Sequence, residues 1–79
     1  HNPKRTMAGV KTFDVSLRIG RLIWQSRIKK GISQKEFALR LGMKQPDISN
    51  IEKGKKNITL ETLAILCKAL EIKKIELWR

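Results

Sequence analysis

Apolar residues recur along the chain at steps of three and four, and this spacing predicts helices that share one core. Val15, Ile19, Leu22 and Ile23, with Ser26 completing the face, predict a first helix from Val15 to Lys30. A sparser stripe of Leu17, Trp24 and Ile28 lies roughly opposite, a face that a lone amphipathic helix does not need. Three things can meet it: the C-terminal segment, solvent, or another subunit. Phe37, Ala38 and Leu41 predict a second helix from Gln34 to about Leu41, with Ser33 as its N-cap and Gly42 as its stop. A third follows from Gln45 to Lys53, with Pro46 and Asp47 in its first turn and Gly54 after its end. Steps of about 100° place Ile48 and Ile51 on one side of it and Pro46, Ser49, Asn50 and Lys53 on the other. Thr59 caps a fourth helix with the stripe Leu60, Leu63, Ala64, Cys67 and Leu70, leaving Ile65 outside it. The tail, through Ile75, Leu77 and Trp78, supplies a last turn and makes five. The fold is thus read as all-α, with Ile19, Ile23, Phe37, Ala38, Leu41, Ile48, Ile51, Leu63, Cys67 and Leu70 in one core.

Residues 1–14 lack this periodicity and contain Pro3, Gly9 and several basic side chains. They read as a flexible basic arm or a remnant of cloning, and Met7 is a candidate natural start. A basic arm can reach a DNA minor groove, whereas a solvated tail does nothing specific. Residues 15–79 then form the single domain, without repeat, low-complexity tract or linker.

Composition narrows the chemistry. A chain of 79 residues holds one small core and no large catalytic cleft, so an enzyme is not expected. Eighteen Lys and Arg against seven Asp and Glu give a formal net charge of +11, which favours a polyanionic partner. No stretch is long and apolar enough to span a bilayer and no signal peptide is visible, so the expected compartment is the cytoplasm and no membrane partner is expected. Cys67, alone of its kind, sits on an apolar stripe and reads as a small buried hydrophobe. His1 is the one histidine, so no Cys/His metal spacing exists, and neither metal nor cofactor is called for. A short helix with small polar side chains and a lysine outward, on so basic a chain, suits the major groove of DNA.

The spacing of Ser33-Gln34, Glu36 with Ala38, Gly42, Gln45, Ile48-Ser49, Ile51-Glu52 and Gly54 resembles the helix-turn-helix family of phage repressors, Cro proteins and Xre-type bacterial regulators. The resemblance runs from about Ile19 to Leu77, and its set of spacings is more specific than any one of them. It implies a small five-helix, lambda-repressor-like DNA-binding domain. Departures stand at Lys44, where the family favours a capping Ser or Thr, at Pro46 and Asp47, where longer or hydroxylated polar residues are common, and at Lys74, where an apolar residue is expected.

By the resemblance, Gln45 is the first base reader, since its amide can bond adenine N6 and N7 together. Asn50 carries the same amide on a shorter arm, Ser49 can touch base or phosphate, and the Pro46 ring can meet a thymine methyl. Ser33 and Gln34 open the second helix against a phosphate, and Lys53, Lys55, Lys56 and Asn57 lie along the DNA backbone. Against each stands the plainer reading of a solvated polar residue. Asp47 repels phosphate unless it accepts from cytosine, and reads first as a stabiliser of the helix start. Arg27 and Glu52 are expected as a structural ion pair. The function implied is a sequence-specific transcriptional regulator of double-stranded DNA, a repressor that binds as a homodimer. Its dimer surface is sought first at Ile75, Leu77 and Trp78, then at Trp24 and Ile28. Two alternatives use the same fold: an antitoxin that also binds a toxin protein, and an adaptor that bridges proteins.

Overall fold

In the computed structural model, residues 12–75 are described, and they form four helices and no strand: α1 (Thr12–Lys29), α2 (Gln34–Leu41), α3 (Gln45–Glu52) and α4 (Leu60–Leu70). Helix α1 starts at Thr12 rather than Val15. A first turn needs no apolar face, and Asp14 there meets the positive end of the helix while Arg27 and Lys29 meet the negative end. The rest of the basic arm lies outside the described residues.

Side-chain caps and backbone turns set the ends of the short helices. Ser33 Oγ accepts from Glu36 N–H at 3.0 Å and Thr59 Oγ1 from Thr62 N–H at 3.0 Å, each satisfying one of the first unpaired amides of its helix. Lys44 makes no side-chain cap for α3; Pro46, with no N–H to satisfy, lightens that deficit. At the other end of α2, Gly42 takes the left-handed conformation (φ 68°), and the amides of Gly42 and Met43 reach back to Leu39 and Ala38. This paired closure is the Schellman ending, and it recurs after α3, where Gly54 and Lys55 bond to Ile51 and Asn50. After α4 the same ending is built on Glu71, which adopts φ 59° without being glycine. Its carboxylate pairs with Lys30 at 2.8 Å, and this contact holds its pKa below the usual carboxylate range.

Ile19, Ile23, Ile32, Phe37, Ala38, Ile48, Ile51, Leu66 and Leu70 form the buried core. Leu41 and Leu63 lie at its edge, half-buried, and Cys67 is also only half-buried, with partial burial raising its thiol pKa. The stripe expected on α4 is therefore rotated: Leu66 is fully buried, whereas Leu60 is 84% exposed and Ala64 faces out. Helix α4, LETLAILCKAL, is apolar on two sides, so periodicity alone does not choose the side that meets α1. Ile32, in the link between α1 and α2, joins the core without any signal in the pattern, because a single apolar residue in a loop has no period.

Helix α1 is the support on which α3 rests. A Cβ on Gly20 would overlap the carbonyl oxygen of Ile51 and lie 2.9 Å from that of Glu52, so the two backbones cross in direct contact. Gly54 is pinned in the same way, since a Cβ there would stand 2.7 Å from Leu17 Cα, and its own φ is 74°. The five-helix count is not met within the described residues. Residues 72–75 carry no helix, so Ile75 is not in a helical turn, and Leu77 and Trp78 lie outside the described residues. Among those residues no helix is long and apolar enough to cross a membrane.

Candidate nucleic-acid interface

The expected site residues gather on and around α3. Its buried side carries Ile48 and Ile51, and its outer side presents Gln45, Pro46 and Asn50 exposed, with Ser49 half-buried. Beyond its end, Lys53, Lys55, Lys56 and Asn57 are all exposed. The result is one surface with short polar groups on the helix and three lysines flanking it.

An almost fully buried ion pair anchors the end of α3. Arg27 Nε donates to Glu52 Oε2 at 2.6 Å and Arg27 Nη2 to Glu52 Oε1 at 3.1 Å, with the two residues 5% and 9% exposed. A third guanidinium nitrogen, Nη1, donates to the Ile32 carbonyl at 2.5 Å. The planar fork of arginine thus joins α1, the α1–α2 link and α3 in one cluster, which a lysine could not do. Among the described residues no buried side-chain nitrogen or oxygen lacks a partner, so the cost of burying two charges is met by hydrogen bonds as well as by their attraction.

The same cluster extends to the surface through two amides. Gln34 Nε2 donates to Glu52 Oε1 at 2.9 Å, and Gln45 Nε2 donates to Gln34 Oε1 at 3.5 Å. The Gln34 side chain is therefore engaged inside the protein, and the long contact from Gln45 is the loosest link of the series. Ser33 is likewise engaged through its oxygen, as the cap of α2.

Two further contacts shape the basic loop. Lys56 Nζ lies 3.2 Å from Asp47 Oδ1, so the acid in the first turn of α3 offsets one of the three flanking lysines. Among the described residues Lys53 and Lys55 have no carboxylate partner, and they carry the unbalanced charge of this surface. Asn57 Oδ1 accepts from Ser16 Oγ at 3.1 Å, which ties the loop back to α1. Neither contact has a signature in the sequence, since each joins residues far apart along the chain or on different elements. Gly20 does leave a signal: a glycine inside an otherwise good helix costs about 1 kcal/mol against alanine and marks a place where something comes close.

Two short helices are thus joined at a left-handed glycine, with the second locked from behind by a buried Arg–Glu pair. The sequence profile of the helix-turn-helix family matches residues 25–77, which includes α2, the turn, α3 and α4. The chain belongs to the Xre/Cro-like helix-turn-helix family. One relative is an uncharacterised HTH-type transcriptional regulator, y4dJ, of Sinorhizobium fredii, 34% identical over 64 residues that make up 81% of this chain and 83% of the relative. Another, an uncharacterised HTH-type transcriptional regulator of Haemophilus influenzae, is 55% identical over 38 residues, 48% of this chain and 39% of that protein. Within the helix-turn-helix, Gly42 is the turn and α3 stands where the family has its second helix.

Proposed function

We propose that this helix-turn-helix protein is a sequence-specific, double-stranded-DNA-binding transcriptional regulator that acts as a repressor, by occupancy and without chemistry. One observation carries the reading: the end of α3 is tied to α1 by the Arg27–Glu52 pair while its outer side offers Gln45 and Asn50, flanked by Lys53 and Lys55. A helix fits the major groove, which is about 12 Å wide, and amide side chains there can bond a base edge in two places. Gln45 reads the first base, with its amide lying beside that of Gln34. Asn50 and Ser49 reach the following bases or the sugar-phosphate chain, and the Pro46 ring offers only apolar contact. The lysines bind phosphates and supply affinity through counterion release. At the start of α2 a phosphate is met by the second N–H of the Gln34 amide, whose first is given to Glu52, and by the backbone N–H groups of the first turn, favoured by the helix dipole. Ser33 through its hydroxyl hydrogen and Asn57 through its amide nitrogen add to this set. Lys56, shared with Asp47, contributes less.

Readers and anchors are separated by substitution. Gln45→Ala is expected to relax preference at one position of each half-site and to weaken operator binding by about 1–3 kcal/mol, with random DNA little affected. Lys55→Ala is expected to weaken operator and random duplexes alike and to lower the salt-dependence slope by about one. An unchanged sequence preference in Gln45→Ala together with an altered one in Lys55→Ala would show that α3 docks on DNA in a different orientation.

A further inference from the structure

A cleft of about 410 Å³ opens between α1 and the paired ends of α2 and α3, lined by Leu17, Arg21, Trp24, Gln34, Glu52 and Lys53 among others. Trp24 is 46% exposed there, and Arg21 and Lys53 are exposed as well. The one carboxylate in the lining, Glu52, is already bound by Arg27 and Gln34, so the cleft carries an excess of positive charge. Among the described residues neither Arg21 nor Lys53 is paired with an acid. The indole of Trp24 adds a group that can donate a hydrogen bond and cannot accept one. Cations and a donor beside an apolar wall suit a phosphate joined to a sugar, which brings acceptor oxygens and an apolar ring face together.

We propose that this cleft seats the DNA backbone beside α3, with Arg21 binding a phosphate and Trp24 packing on the adjoining deoxyribose. The inference rests on the DNA-binding reading and extends it to a third element, α1. Continuity supports it: Gln34 and Lys53 line the cleft and also flank the surface of α3, so a strand that passes the start of α2 and the end of α3 runs directly into it. The stripe of Leu17 and Trp24 on α1 then faces nucleic acid rather than a second subunit, and Leu17 is partly covered by Gly54 from within.

The test uses the full chain with Trp78→Phe, which leaves Trp24 as its one tryptophan. Acrylamide quenching of Trp24 is measured free and saturated with a selected duplex, and binding is measured against salt for this chain and for the same chain with Arg21→Gln. The expected result is a clear loss of quenching on saturation, together with a salt slope lower by about one in Arg21→Gln on selected and random duplexes alike. Trp24 equally quenched in the saturated complex, or a slope unchanged by Arg21→Gln, overturns the cleft proposal while leaving DNA binding by α3 intact. Protection of Trp24 that grows with protein concentration in the absence of DNA identifies a subunit contact and also overturns it. Failure of the unsubstituted chain to bind any duplex overturns both this proposal and the function on which it rests.

Discussion

Arg27 joins α1, the α1–α2 link and α3, because its three nitrogens meet Glu52 twice and the Ile32 carbonyl once. Removing one member of a buried pair leaves a charge without its partner, a state that costs about 3–5 kcal/mol. For a domain of this size that is a large part of the total stability. Arg27→Met and Glu52→Met are each expected to lower the urea midpoint strongly, and the double change is expected to cost much less than their sum. Additive losses in this cycle would mean that the two charges do not stabilise each other. Because Gln34 donates to the same carboxylate and Gln45 in turn donates to Gln34, the cluster also links the stability of the domain to the position of its first proposed base reader.

Between elements, the decisive contact is the crossing of α1 over α3 at Gly20. Helix propensity alone predicts that Gly20→Ala stabilises α1 by about 1 kcal/mol. A methyl group there has no room beside the Ile51 carbonyl, and forcing backbones apart costs about 1–3 kcal/mol or more. The expected net result is a lower melting temperature, and a higher one would contradict direct contact between α1 and α3. Helices α2 and α3 are legible in the sequence because Ser33, Gly42 and Gly54 punctuate them and one apolar stripe lies on each. The existence of α4 is legible but its rotation is not, since Leu60, Ala64 and Cys67 compose a stripe as regular as Leu63, Leu66 and Leu70. Only the packing of α4 on α1, with Leu66 fully enclosed, separates the two. Among the site residues, type and position on α3 are legible, whereas the pairing of Lys56 with Asp47 and of Asn57 with Ser16 depends on where the loop after α3 returns.

At the scale of the whole molecule, a net charge of +11 supplies strong attraction to any polyanion, and it cannot by itself distinguish one DNA sequence from another. In the proposed function discrimination comes from α3, and a helix of eight residues reads only a few base pairs. Two copies on one duplex multiply that discrimination, with recognition helices about 34–36 Å apart for half-sites one helical turn from each other. The homodimer is therefore part of the proposed function, and sedimentation on a bound duplex is expected to give two protomers, with one protomer per site refuting the dimer. Selection of bound sequences from a library of random duplexes tests sequence-specific binding by α3 most directly. The expected result is enrichment of two inverted half-sites whose centres lie about 10 base pairs, or a multiple of that, apart. Retention of duplexes without any sequence enrichment would contradict it, reducing the protein to a basic surface that binds DNA by charge alone.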